Sequence, residues 1–184
     1  MHKIFQGVRP LDYLLAGLMT AAGAFLMYEN ISAGDDASLA HPLSTTTWAM
    51  LPVFLLVTIP ILWRRRNVLA VVGATTVATV LHVLLFGWVT RCGVALPLSI
   101  ALAYAVARFA RGRRDHLIGL TGILLLQVVV IARDASIDRL VSALPLSIPA
   151  AALFYGIGLY VQNRVTRKQR EQSAAVPVAQ RAAA

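Results

Sequence analysis

The chain has 184 residues, 58% of them hydrophobic and only 14% charged, with a net charge of +9. A soluble domain carries about 25% charged residues, so lipid is the expected solvent for most of this surface, and six helices of about 20 residues would occupy most of the chain and leave only short loops. The lone cysteine, Cys92, excludes an internal disulfide and a cysteine-based zinc site, and the basic residues cluster between apolar runs as topology signals do, so no nucleic-acid partner is expected.

Residues 1–10 read as a cytoplasmic N-terminus. The first apolar run, about Leu11 to Ile31, exceeds the roughly 7–15 residues of a signal-peptide core and reads as a retained helix. A small acidic loop, Ser32 to Thr45, follows and reads as a polar connector. Further runs lie at about Thr46–Trp63, Val68–Val89, Val94–Ala110, Leu117–Ala132 and Leu140–Val161, the fourth and fifth being short for a span. The expected fold is all-α: a polytopic membrane bundle of about six transmembrane helices over residues 11–161. Residues 162–184 are then cytoplasmic. Gln162 to Gln172 briefly continues the last helix, and Ser173 to Ala184 reads as a disordered tail.

Charge orients this scheme. Lys3 and Arg9, Arg64–Arg66, Arg108, Arg111, Arg113 and Arg114, and Arg164, Arg167, Lys168 and Arg170 fall on one side. The other side holds Arg91, Arg133 and Arg139 with Asp35, Asp36, Asp134 and Asp138. Lys and Arg are retained inside, which places both termini in the cytoplasm of a multi-pass cell-membrane protein. Trp48, Trp63, Trp88 and Tyr160 sit at span ends, where amphipathic rings favour the headgroup layer.

Ala95-Leu96-Pro97-Leu98-Ser99-Ile100 recurs as Ala143-Leu144-Pro145-Leu146-Ser147-Ile148, with a shorter echo at Leu51-Pro52. Each even-numbered span would then carry a proline in or near its first turn, where no backbone donor is lost. Duplication and chance both remain open for this repeat. Gly17, Ala21 and Ala24, and Gly156 with Tyr160, are spaced for close helix approach.

Polar residues within spans are costly and need a partner or a purpose. His82, Gln127, Tyr104 and Tyr155 form the candidate intramembrane polar site. His82 could sense protons or a ligand, but an interhelical hydrogen bond is the simpler reading. Asp12 and Arg9 could pair at the inner end of the first span. Glu29, Arg91, Cys92, Arg133 and Asp134 read as solvated outer ends. No P-loop, nucleophile elbow, metalloprotease motif or paired buried carboxylate is present, so neither catalysis nor a metal or other cofactor is expected.

Several segments carry a resemblance. Arg9-Pro10-Leu11-Asp12, the inner turn Ile59-Pro60-Ile61-Leu62-Trp63-Arg64-Arg65-Arg66-Asn67-Val68-Leu69-Ala70-Val71, and Arg91-Cys92-Gly93-Val94-Ala95-Leu96-Pro97-Leu98 with Tyr104-Ala105-Val106-Ala107-Arg108 resemble the N-terminal membrane region of actinobacterial sensor histidine kinases. The similarity covers about residues 8–170. In those kinases a phosphoacceptor histidine and an ATP-binding domain follow the last span. Here His2, His41, His82 and His116 all lie upstream, none in a phosphoacceptor motif. The resemblance therefore implies an input bundle without kinase activity, passing its state to a separate membrane or cytoplasmic signalling protein through Arg164, Arg167, Lys168 and Arg170. A small transporter or channel subunit, or an intramembrane partner-binding protein, is the alternative. A homo-oligomer stays open.

Overall fold

Pro10 opens the first helix, because its fixed φ suits a first helical position and its missing N–H would have had no partner there. Two residues on, Asp12 accepts a hydrogen bond from the Arg9 main chain at 3.0 Å, which closes the first turn. Asn67 does the corresponding work for the third helix, its side chain accepting from the Ala70 amide at 3.1 Å. That helix ends at Gly87, whose φ of 62° is a conformation that side chains with a Cβ resist.

The protein, seen as a computed structural model, is described for residues 8–32 and 39–182. The helices are α1 (Pro10–Ser32), α2 (Met50–Thr58, extended by a 3-10 turn over Ile59–Trp63), α3 (Val68–Phe86), α4 (Cys92–Phe109), α5 (Arg113–Ala132) and α6 (Leu140–Ala182). There are no strands among the described residues. All but α2 are long and apolar enough to cross a membrane, and the all-α bundle agrees with the expected fold class.

In α2, nine α-helical residues and five in the tighter 3-10 winding, entered through Pro60, rise about 24 Å. It runs antiparallel to α1 over that whole length. Trp48 packs near Tyr28, Phe54 lies against Gly23, Thr58 Oγ1 is 3.2 Å from Thr20 Oγ1, and Arg64 reaches Asp12. The pair therefore traverses one common layer.

The bundle has two polar ends. Asp12, Arg64, Arg65, Phe109 and His116 mark the basic end. Asn30, Ser44, Trp88, Arg91 and Asp134 mark the other. Between them lies an apolar core that includes Met27, Met50, Phe54, Leu98, Leu102 and Leu126. The outer surface is as apolar as the core: Leu14, Leu84 and Leu146 are 69%, 76% and 78% exposed, an arrangement suited to lipid and not to water.

Helix α4 is central, packing against α1, α3, α5 and α6. It runs parallel to α6. A Cβ on Gly158 of α6 would stand 2.6 Å from Ala107 Cβ and 2.8 Å from the Tyr104 carbonyl oxygen, so only glycine permits this approach.

Several expectations change. The close approaches on α1 and α6 use Gly23 and Gly158, whereas Gly17 and Gly156 face open space. Pro52 does lie in the first turn of α2, but α4 begins two residues earlier than expected, at Cys92, and α6 begins at Leu140 as expected, so Pro97 and Pro145 each sit sixth in their helix, beyond the turn where a missing N–H is free. The backbone of residues 173–182, expected as a disordered tail, continues α6. Alanine is the best helix former, and the Ala-rich composition that suggested low complexity equally favours helix. The acidic part of the first outer loop, Asp35 and Asp36, lies outside the described residues.

Candidate functional site

The most unusual residue is Arg91. It precedes the first turn of α4, and its side chain is fully buried. An arginine held away from water must satisfy five N–H donors. All five are met. Nε donates to His82 Nδ1 at 2.9 Å. One terminal nitrogen donates to the Val89 and Arg133 carbonyls at 3.0 and 2.7 Å, and the other to the Gly87 and His82 carbonyls at 2.8 and 3.5 Å. The 87–91 loop thus wraps its own arginine, and the end of α5 completes the shell.

Asp134 supplies the opposite charge without a direct ion pair to the guanidinium. One carboxylate oxygen accepts the main-chain N–H groups of Arg91 and Cys92, which begin α4, where a negative charge also complements the helix dipole. The other oxygen accepts the N–H and hydroxyl of Ser136. Burial pulls Arg91 down to about 10, opposed by the Asp134 charge, so the side chain is still a cation at neutral pH.

Other segments join the same node. Asn30 at the end of α1 clamps residue 90 at two points: its Nδ2 donates to the Thr90 carbonyl at 2.9 Å, and its Oδ1 accepts the Thr90 amide at 3.0 Å. Ser44 bonds Trp88 through both main chain and side chain, and the His41 amide donates to the Ala135 carbonyl. The Trp88 ring lies 4.0 Å from His41 between centroids, at a tilt of 31°, and 5.3 Å from the Arg133 guanidinium. The ends of α1, α3 and α5, the start of α4, and the strap before α2 all meet on residues 87–92.

His82 is the link from this node into the bundle. It lies with Thr75 and Thr79 on the buried face of α3 and packs against Phe54 and Phe86. Because Arg91 is always a donor, Nδ1 must be an acceptor, and the imidazole is neutral with its proton on Nε2. The Met50 main chain is near enough to interact with the ring, yet Nε2 makes no hydrogen bond of normal geometry. The Thr75 hydroxyl is likewise buried without a partner, while Thr79 donates to the Thr75 carbonyl at 2.8 Å.

The remaining candidate residues fall elsewhere. Gln127 of α5 is buried and donates through Nε2 to Ser99 Oγ and to the Ser147 carbonyl, each at 3.1 Å. These are matching serines of the repeated hexapeptide, and each hydroxyl bonds the carbonyl three residues back in its own helix. Tyr155 bonds His116 Nδ1 at 3.0 Å. His116 and Gln127 are eleven residues apart on α5, about 16 Å along the axis. Tyr104 is half-buried where Gly158 approaches α4. His82, Gln127, Tyr104 and Tyr155 therefore belong to separate networks and do not converge.

At the basic end Asp12 is buried and accepts from two arginines: Arg64 Nε and a terminal nitrogen at 3.1 and 2.8 Å, and Arg65 Nε at 2.7 Å. The expected partner, Arg9, meets the Asp12 carboxylate through its main-chain N–H, and its carbonyl accepts the Asp12 amide at 2.8 Å. On α6, Arg164, Arg167, Lys168 and Arg170 are exposed beyond the bundle, Arg164 over the Tyr160 ring and Arg167 paired with Glu171 at 3.0 Å.

Reading Arg91 and Asp134 as solvated ends is corrected by this geometry, since both are fully buried. Asn30 was not singled out from sequence. The usable signal was the recurrence of charge just after α3 and α5, Arg91 and Arg133-Asp134, at the same end of the bundle. Comparison with known proteins assigns no relative: no family model matches the chain, and no curated protein or solved structure is significantly similar to it.

Proposed function

We propose that this chain is a non-enzymatic membrane input unit, sensor-like or accessory to signalling, in a multi-pass cell-membrane arrangement. The observation that carries the reading is the length of α6. Its 43 continuous residues extend about 64 Å, roughly twice the 30 Å of a bilayer core. One helix thus packs against α4 and α5 within the bundle and projects well beyond it, carrying Arg164, Arg167, Lys168 and Arg170. A displacement of α6 in the bundle is delivered to whatever contacts that extension.

Charge supports the orientation. The basic end, with Arg9, Arg64–Arg66 and Arg108–Arg114, faces the cytoplasm by the positive-inside rule. In this arrangement α2 crosses with α1, giving six crossings, both termini are cytoplasmic, and the Arg91 node faces outward. The resemblance to actinobacterial kinase input regions points the same way, with a separate signalling protein as the receiver. A transporter would need His82, Gln127 and Tyr155 along one path, and their separate hydrogen-bond networks favour the sensor reading.

The test compares transcript profiles of the source cells lacking this gene, complemented with either the full chain or a chain ending at Gln162. The sensor reading expects the shortened chain to match the deletion. A shortened chain that inserts normally and restores the full profile overturns it.

A further inference from the structure

A cavity of about 470 Å³ opens at the basic end, between the turn that starts α3 and the connection from α4 to α5. Four arginines line it, Arg65, Arg66, Arg108 and Arg111, against a single carboxylate, Asp115. Arg65 is already engaged by Asp12 and lies 5.2 Å from the centroid of Phe109, whose ring Arg108 also approaches at 5.8 Å. Among the described residues Arg108 and Arg111 make no ion pair, and Arg111 is exposed. The first turn of α3, Asn67 to Leu69, forms another wall, and helix starts present N–H groups and a positive dipole end to an anion.

A concave site with uncompensated guanidinium groups and a helix start selects for a compact, multiply charged anion. Guanidinium forks match phosphate oxygens in geometry as well as charge. The Trp63 carbonyl accepts the main-chain N–H groups of the lining residues Arg66 and Asn67, which sets this wall at the end of the apolar layer, where phosphate headgroups reside. We infer that this cavity binds a phosphate-bearing anion, either a lipid headgroup or a soluble phosphate compound. Its walls join the α2–α3 and α4–α5 connections, so an occupant would tie together two hairpins of the bundle. This site is distinct from the Arg91 node and does not depend on the sensor reading.

The experiment is calorimetric titration of the full chain in neutral detergent with two probes, dioctanoyl phosphatidic acid and inorganic pyrophosphate. Saturable binding of either probe is expected, weakened at least about tenfold in an Arg108→Gln/Arg111→Gln variant, as the loss of charge-assisted hydrogen bonds implies. An Asp115→Asn variant keeps every arginine and should bind more tightly. An Arg164→Gln/Arg167→Gln control removes the same charge from the α6 extension and should bind unchanged. Binding of phosphatidic acid alone identifies a headgroup site, and equal binding of pyrophosphate identifies a soluble ligand. No saturable binding of either probe, or equal weakening in the α6 control, overturns the inference.

Discussion

Arg91 Nε donates to His82 Nδ1 at 2.9 Å, which makes the buried imidazole an acceptor on one side and leaves its Nε2 proton directed into the bundle without a hydrogen bond of normal geometry. A proton added at Nδ1 would face the guanidinium and break the contact. His82 therefore acts as a neutral strut between α3 and the Arg91 loop.

Replacing Arg91 tests how far the end of the bundle depends on it. Arg91→Met leaves Asp134 as a buried carboxylate without its neighbouring cation and should cost about 3–5 kcal/mol of stability. Arg91→Lys keeps the charge, but three donors cannot meet five acceptors, and a cost of about 2 kcal/mol is expected. Thermal unfolding in mild detergent ranks them: wild type above Arg91→Lys above Arg91→Met. A lysine variant as stable as wild type would show that the saturated shell is not what holds the loop.

The Asp12 clamp makes a parallel prediction at the other end. Asp12→Ala removes the shared acceptor of Arg64 and Arg65 and leaves two cations close together. A loss of about 2–4 kcal/mol is expected, with faster proteolysis at the 64–67 turn. Unchanged unfolding and cleavage would place the weight of the α1–α2 contact in its apolar packing.

Glycine substitutions separate close approach from mere spacing. Gly158→Ala puts a methyl against Ala107 and the Tyr104 carbonyl and should destabilise by about 1–3 kcal/mol. Gly156→Ala, two residues away and facing open space, should be neutral or slightly stabilising, since alanine is the better helix former. Equal effects at both positions would contradict the parallel α4–α6 packing.

Gln127 bridges the two copies of the hexapeptide, so Gln127→Leu should cost about 0.5–2 kcal/mol, the range for interhelical hydrogen bonds in membrane bundles. Each serine keeps its bond to its own helix, which limits the loss. Unfolding measured with Ser99→Ala and the double variant gives the coupling, and additive losses would mean that the Gln127–Ser99 contact contributes nothing.

Much of the architecture was legible in the sequence because hydropathy and charge are local properties. Six apolar runs, their order and the charge alternation follow from residues read one segment at a time. Buried polar contacts are not local. Arg91 follows a span and precedes another, which in sequence is indistinguishable from a solvated loop residue. Only the inward fold of residues 87–91, which begins at Gly87, buries it. Asn30 is hidden for the same reason, its partner being sixty positions away. Gln127, Ser99 and Ser147 were visible as a polar residue and a repeat, but their meeting required the parallel packing of α4 and α6. The exposed cations of α6 were legible because nothing tertiary decides them.

The proposed arrangement puts the Arg91 node and the α6 extension on opposite sides of the membrane. Cys92 is half-buried and a poor reporter. In a Cys92→Ser background, single cysteines at Asp138, Gly112 and Arg170 all occupy exposed positions. A membrane-impermeant thiol reagent applied to intact cells should label Asp138→Cys alone, with Gly112→Cys and Arg170→Cys labelled only after the membrane is opened. Labelling of Asp138→Cys and Arg170→Cys from the same side would contradict the account.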